Sequence, residues 1–186
     1  MPKNIEIEKK YALLNYDHVL KELNSYPKVI INEMQEDIYY HPQHNDYTNK
    51  EIVSEWFRLR KTVNNNTLTF KRWLPIGEKI QTHCNEYEVD ISDFENMQNI
   101  INCIDMVELV RVVKCRNSWL IDDIEVSIDR VEKLGDYIEF ESKSKDSNVE
   151  NMLYKIDVLA NNMGFELGEQ DRRGYPYRLL ELRKRG

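Results

Sequence analysis

The first strand-like segment alternates charged and aliphatic residues, and this alternation constrains the fold more than any other feature of the chain. Residues 5–12 read Ile-Glu-Ile-Glu-Lys-Lys-Tyr-Ala. Successive side chains of an extended strand point to opposite faces, so Glu6, Glu8 and Lys10 share one face and the isoleucines share the other. Two carboxylates about 7 Å apart on one face suit a divalent cation, and a lysine beside them suits an anion. Taken alone, the segment is more typical of an amphipathic strand whose charges lie in water.

The same alternation recurs along the chain and predicts a mostly antiparallel β protein. The clearest hairpin joins residues 55–61 to residues 67–71 across an Asn-rich turn. Capping patterns and helical spacing of apolar residues predict helices after Ser92, after Ser147 and near the C-terminus. Since no repeat or linker divides the sequence, it predicts an α+β fold with one domain over residues 1–186.

Like-charged pairs two residues apart mark the charged faces of these strands. The pairs are Glu6/Glu8, Arg58/Arg60, Glu86/Glu88, Lys114/Arg116 and Glu139/Glu141. Like charges repel by about 1 kcal/mol at 4 Å in water and by roughly 4 kcal/mol at an effective dielectric constant of 20. Cations of this kind bind phosphate oxygens, and carboxylates bind hard divalent ions. Charged faces that converge inside a barrel would therefore suit a polyphosphate with its metal, whereas an apolar barrel with solvated charges is the alternative that composition leaves open.

Composition argues against several classes of partner. The net charge is −7 and the isoelectric point about 5.2, so the general electrostatic footprint of a nucleic-acid-binding protein is absent. No apolar run reaches the roughly 20 residues of a membrane span, and residues 1–10 contain no signal-peptide core. The three cysteines form no CxxC pair, which is typical of a reduced compartment. We expect a cytoplasmic protein with no nucleic-acid or membrane partner.

Short motifs spread along nearly the whole chain carry a family resemblance. Residues 6–10 have the form E-x-E-x-K, and the later motifs follow in a fixed order. They are Gln35-x-Asp37-x-Tyr39, Arg58-x-Arg60, Lys71 after Thr69-Phe70, Glu86-x-Glu88, Lys114-x-Arg116 and Asp129-x-Val131-x-x-Leu134-Gly135-Asp136-x-x-Glu139-x-Glu141. Together they resemble the CYTH superfamily, the triphosphate tunnel metalloenzymes, and within it the branch of class IV adenylyl cyclases and thiamine triphosphatases.

The resemblance implies an eight-stranded antiparallel β-barrel, a triphosphate tunnel, with helices packed on the outside. It implies a Mg²⁺- or Mn²⁺-dependent reaction on ATP or another organic or inorganic triphosphate, and a possible homodimer. Carried over by residue, the metal ligands are Glu6, Glu8, Glu139 and Glu141. The phosphate ligands are Lys10, Arg58, Arg60, Lys71, Lys114 and Arg116. The catalytic set is Glu6, Glu8, Lys10, Asp129 and Glu139.

Three functions fit these residues. Conversion of ATP to cyclic AMP and pyrophosphate is the preferred expectation, because the segments 35–39 and 134–136 resemble the cyclase branch. Hydrolysis of tripolyphosphate, thiamine triphosphate or a nucleoside triphosphate needs the same tunnel, and a non-catalytic binding module needs the cations but not every carboxylate. The segment 173–177 follows the Arg-Ser-Tyr pattern of the cyclases only loosely. The sequence therefore assigns no role to Tyr175 and Tyr177, nor to Asp37, Glu86 and Glu88.

Overall fold

Ten β-strands and four α-helices make up residues 5–144 and 148–185, the part of the chain that the computed structural model describes. The strands are β1 Ile5–Glu6, β2 Glu8–Leu13, β3 Lys28–Pro42, β4 Glu55–Lys61, β5 Asn66–Leu74, β6 His83–Ile91, β7 Met106–Ile121, β8 Ile124–Val131, β9 Gly135–Ser142 and β10 Leu167–Gln170. The helices are α1 Tyr16–Leu23, α2 Phe94–Cys103, α3 Val149–Met163 and α4 Gly174–Arg185, with a short 3-10 helix at Tyr47–Asn49.

All ten strands belong to one antiparallel sheet with the order β1-β6-β5-β4-β3-β7-β8-β9-β2-β10. Strands β1 and β2 lie near opposite ends of this order, yet only Ile7 separates them in the chain. The sheet must therefore curve until residues 5–13 reach both of its ends, and the Ile7 carbonyl accepts the N–H of Ser142 at 2.9 Å. The predicted count of eight strands is wrong, and no pairing between described strands closes the sheet into the predicted barrel. Strands β1 and β10 have only two and four residues, too few for alternation to reveal them.

The apolar faces of most strands lie under helices, as the alternation predicted. Helices α1 and α3 bury Leu23 and Ile156 against the aliphatic face of β8 and β9, which includes Ile138. Helix α2 buries Ile101 against Ile38 and its neighbours on β3 and β4. Each such side chain removed from water contributes about 1.5–3 kcal/mol, so the outer face of the sheet is the main apolar core. The charged faces are left to point inward.

Helix α4 departs from the predicted outer position. Its residues Tyr175 and Leu179 pack with Tyr39, Val112 and Val131. Each of these three residues lies two positions from a charged residue on the same strand, in the order Asp37, Lys114 and Asp129. They therefore share the charged, inward face of the sheet. The expectation that all helices lie outside is therefore wrong for α4, which covers part of the inner face. Leu179 and Leu180 give α4 an apolar side that the inner valines can bury.

Helix starts differ slightly from the predicted caps. Helix α2 begins at Phe94, and the Asp93 carboxylate, not Ser92, accepts the N–H of Asn96 at 2.9 Å. Helix α3 begins at Val149 with Asn148 as its cap, and Ser147 lies outside the described residues. Both observed caps are short polar side chains that satisfy a free N–H group of the first turn. Within residues 5–144 and 148–185, every helix is too short or too polar to cross a bilayer.

Candidate active site

The inward faces of the strands enclose a cavity of about 340 Å³. Its wall contains every predicted metal and phosphate ligand. They are Glu6, Glu8, Lys10, Arg58, Arg60, Lys71, Lys114, Arg116, Glu139 and Glu141. The predicted catalytic residue Asp129 does not line the cavity, because it is buried behind Lys114 and Arg116 at 1% exposure. The charged faces therefore converge on one interior space instead of pointing into bulk water.

Strand register places opposite charges beside each other. Lys10 on β2 lies opposite Glu139 on β9, Arg60 on β4 opposite Asp37 on β3, and Lys71 on β5 opposite Glu86 on β6. Like charges along each strand thus become opposite charges across strands. This pairing offsets the repulsion that made the sequence pattern unusual, and it explains how the fold tolerates so many buried charges.

Asp129 holds two of the cations. Arg116 donates two hydrogen bonds to its carboxylate, from Nε to Oδ1 at 2.7 Å and from a terminal nitrogen to Oδ2 at 2.6 Å. Lys114 Nζ donates to the same Oδ2 at 3.0 Å. Burial alone would raise the pKa of Asp129, but the charges of Arg116 and Lys114 outweigh it and hold that pKa well below its usual range. Asp129 is thus an ionised anchor for two cavity cations.

Asp37 anchors a second pair of cations in the same way. Arg60 donates to it from Nε at 2.6 Å and from a terminal nitrogen at 2.7 Å, and Arg58 lies 3.8 Å away. Burial opposes the charge of Asp37, but Arg60 and Arg58 lower its pKa well below the usual range. Arg58 also donates to Thr69 at 2.9 Å and to Glu88 at 3.2 Å. Its Nε is buried without a partner among the described residues, so this donor is available to a ligand.

Lys114 differs from the other cations in its ionisation. Burial, together with the neighbouring charge of Arg116, lowers the pKa of Lys114 to about 7 in spite of Asp129. For Lys10, burial acts in the same direction, but Glu139 at 2.9 Å and Glu8 at 3.4 Å outweigh it and raise the pKa. Lys114 is therefore the cavity cation whose charge changes near neutral pH.

Acidic side chains lie close together where β2 and β9 meet. Glu8 and Glu141 are direct partners in this pair of strands. Burial, with added repulsion from Glu139, raises the pKa of Glu8 to about 7. Burial and repulsion from Glu6 raise the pKa of Glu141 to about 8, although Lys143 lies 2.6 Å away. A further cation bound here would relieve this repulsion.

In this structure the carboxylates of the predicted metal site are paired with lysines and arginines. Lys71 Nζ lies 2.7 Å from Glu6, and Glu139 accepts from Lys10 at 2.9 Å and from Arg116 at 3.2 Å. Accordingly, no three His, Cys, Asp or Glu side chains of the described chain are gathered so that they could hold a metal ion. The donor chemistry nevertheless fits a hard divalent ion, since the donors are carboxylate oxygens.

Several cavity residues are absent from the predicted site. Glu125 lines the wall, where Lys143 bridges it to Glu141 at 3.2 and 2.6 Å. Its inward position follows from alternation with Ser127 and Asp129. Tyr175 enters from α4 and donates its hydroxyl to Asp129 at 2.8 Å. No local pattern places Tyr175 there, because its position depends on how α4 packs.

Comparison with known proteins agrees with the resemblance seen in the sequence. The family model described as the CYTH domain matches residues 4–175. A protein of Methanocaldococcus jannaschii that carries the provisional name of adenylate cyclase is 33% identical over 145 residues, covering 77% of this chain and 80% of its own length.

Solved structures share the fold at lower identity. One from Pyrococcus horikoshii has a TM-score of 0.76 at 24% identity and covers 95% of this chain and 98% of its own. A Hippeastrum protein, described as an adenylyl cyclase by provisional name with a dominant triphosphatase activity, has a TM-score of 0.61 at 15% identity, with 88% and 89% covered. The family match over nearly the whole length shows that this chain belongs to the CYTH domain family.

Proposed function

We propose that this protein is a divalent-metal-dependent enzyme that binds a triphosphate in the cavity and converts ATP to cyclic AMP and pyrophosphate. One observation carries the proposal. Ten cationic side chains and nine carboxylates, drawn from distant parts of the chain, line a single interior cavity. Burying so many charges carries a large desolvation penalty. Binding of a polyanionic substrate with its cation would explain why the fold keeps them.

Six of these cations form the triphosphate site. They are Lys10, Arg58, Arg60, Lys71, Lys114 and Arg116. The arginines offer paired N–H groups that match phosphate oxygens, and the lysines act as point charges. Asp37 and Asp129 orient four of these cations through the contacts described above. Asp129, which the sequence suggested as catalytic, is therefore better proposed as a positioning residue.

The carboxylates form the metal site. Glu6, Glu8, Glu139 and Glu141 would hold Mg²⁺ or Mn²⁺, which stabilises negative charge on the transferring phosphoryl group when bound. The pKa values of Glu8 and Glu141 are raised mainly by burial and further by neighbouring carboxylates. They support this placement, because a bound cation favours the ionised form of both groups. Lys10 and Lys71, which now neutralise Glu139 and Glu6, are the groups that would turn toward phosphate.

In the proposed reaction the oxygen of the ribose 3′-hydroxyl forms a bond to the α-phosphorus, and the bond from that phosphorus to the oxygen bridging to the β-phosphate breaks. Pyrophosphate leaves with the bridging oxygen, and the hydroxyl proton leaves with the pyrophosphate. The chain contributes positioning and electrostatics rather than a covalent intermediate. The cationic wall holds the two departing phosphates and stabilises their developing charge.

Hydrolysis of a triphosphate is the second candidate, and it uses the same residues. The dominant triphosphatase activity stated for the Hippeastrum protein favours it, but that likeness of 15% identity supports the fold alone. The relative named as a cyclase is 33% identical, which is why we place cyclisation first.

The deciding experiment is incubation of the protein with Mn²⁺ and ATP, followed by chromatography of the nucleotides. Cyclic AMP with pyrophosphate supports the proposal. ADP with phosphate, and no cyclic AMP, refutes cyclisation and leaves hydrolysis. Tripolyphosphate, thiamine triphosphate and GTP should be tested in parallel, because turnover of these alone would identify a triphosphatase.

A variant at Glu8 tests the metal site. Glu8→Gln should still bind tripolyphosphate, because the cations remain, but should lose Mn²⁺-dependent turnover. Glu132→Gln is a matched control, since Glu132 is exposed and does not line the cavity. If no substrate is turned over although tripolyphosphate raises the thermal stability, the chain is a binding module; a ligand at about 100 times its Kd adds roughly 2.7 kcal/mol.

A further inference from the structure

The start of helix α4 is fixed over the cavity by Asp171. The Asp171 carboxylate accepts hydrogen bonds from the backbone N–H groups of Arg173 and Gly174, each at 3.2 Å. The backbone N–H of Asp171 donates to the carbonyl of Lys10 at 2.8 Å. Gly174 has a φ of +78°, a left-handed conformation that other residues adopt only at a cost. These features set the position of the next residue, Tyr175, relative to β2.

Tyr175 contacts the cation cluster from α4. It is 3% exposed, and its hydroxyl donates to Oδ2 of Asp129 at 2.8 Å. Lys10 Nζ lies 4.4 Å from the centroid of the Tyr175 ring, and Lys114 Nζ lies 5.2 Å from it. A tyrosine ring attracts a cation placed over its face. One side chain thus touches the anchoring carboxylate and faces two of the cations proposed to bind phosphate.

Oδ2 of Asp129 accepts from three donors, namely Arg116, Lys114 and the Tyr175 hydroxyl. A phosphate entering the cavity would compete with Asp129 for the first two. It cannot draw away the third as easily, because the hydroxyl is neutral and its ring is held by the packing of α4 against the inner face. Tyr175 therefore keeps Asp129 hydrogen-bonded when the cations turn, and an unpaired buried carboxylate is costly.

We propose that Tyr175 is a positioning residue for triphosphate recognition, acting through Asp129 on Lys114 and Arg116. It serves the triphosphate group itself, whatever that group is attached to. This inference rests on the proposed function, since it takes the cavity to be a triphosphate site.

The test is Tyr175→Phe, which removes the hydroxyl and keeps the ring. Binding of tripolyphosphate and of ATP is measured by calorimetry, with and without Mn²⁺. We expect both affinities to fall by a similar factor of roughly 10 or more, from the usual strength of a hydrogen bond to a charged group. The matched control is Tyr177→Phe on the same helix, since the Tyr177 ring packs on Arg173 at 4.4 Å and the tyrosine hydroxyl that bonds Asp129 is that of Tyr175.

Two results would overturn the proposal. Loss of ATP affinity with unchanged tripolyphosphate affinity would place the Tyr175 hydroxyl at the nucleoside instead. A lower Tm with both affinities unchanged would make its role purely structural. If neither the wild-type protein nor the Tyr177→Phe control binds any triphosphate, the proposed function itself is refuted. That result differs from a loss of affinity confined to Tyr175→Phe.

A double variant keeps the idea testable if the affinities of the single variant are ambiguous. In an Asp129→Asn background, Tyr175→Phe should cause no further loss of tripolyphosphate affinity, because the residue acts through that carboxylate. An equal loss in both backgrounds would show that Tyr175 acts independently of Asp129 and would contradict the proposal.

Discussion

Replacing Glu8 by glutamine should stabilise the metal-free protein at pH 8 while abolishing metal-dependent turnover. Burial and the nearby Glu139 raise the pKa of Glu8 from 4.5 to about 7. The folded chain therefore binds more protons than the unfolded chain between these values, and stability is lost as the pH rises through this range. At pH 8 the wild-type protein carries the full cost of this buried charge. Glutamine keeps the shape and removes the charge.

The magnitude follows from the shift. Each pKa unit corresponds to 1.36 kcal/mol, so the shift sets a ceiling of about 3 kcal/mol. Because Glu8 interacts with Glu139 and Lys10, part of that cost is shared, and we expect about 1–3 kcal/mol. At roughly 2–4 °C per kcal/mol for a chain of this size, the Tm of Glu8→Gln should exceed that of the wild type by several degrees at pH 8. At pH 5, where Glu8 is protonated, the difference should nearly vanish.

The assay is urea and thermal unfolding in EDTA at pH 5 and at pH 8, with Glu132→Gln as the exposed control. A stability gain that is equal at the two pH values would mean that the charge of Glu8 is not its cause. A loss of stability at pH 8 would refute the conclusion that Glu8 is held in a repulsive, desolvated site. The same preparations should then be tested with Mn²⁺, which should stabilise the wild type and not Glu8→Gln.

Three other outcomes are expected. Asp37→Asn should destabilise the fold by about 3–5 kcal/mol, because it leaves Arg60 and Arg58 buried without their anchor; Glu36→Asn, half-exposed on the same strand, should cost far less in the same urea titration. Tripolyphosphate affinity should weaken as the pH rises through about 7, where Lys114 loses its proton, and Lys114→Arg should reduce this dependence in calorimetry, since arginine stays protonated. Leu179→Ala should lower stability by roughly 2–5 kcal/mol, as expected for a buried leucine, and should weaken tripolyphosphate binding as well if α4 positions Tyr175; a loss of stability with unchanged affinity would separate the two.

Alternation and charge pairing in the sequence predicted much of the site. The parity of each strand is a local property, since side-chain direction reverses at every residue. It therefore placed Arg58 and Lys114 on the charged faces of their strands without knowledge of the strand order. The like-charged pairs then indicated that these faces meet, because scattered surface charges gain nothing from such spacing.

The counts and caps were less predictable. Strand β10 is too short to show a period, and the exact cap of a helix depends on one or two residues of local geometry. For this reason the observed N-cap of α2 is Asp93 and not the predicted Ser92. These errors leave the candidate site unchanged.

The sequence by itself determined which side chains share a strand face and which chemistry they offer, because side-chain direction alternates with a period of two and the chemistry follows from residue type. The structure showed that the charged faces point inward. Only the tertiary structure decided how they pair. Strand register placed Lys10 opposite Glu139, and the packing of α4 on the inner face brought Tyr175 to Asp129. Asp129 lies behind the cavity wall, where it binds Lys114 and Arg116. These contacts join residues far apart in the chain, and their geometry follows from the curvature of the whole sheet, which no local pattern encodes.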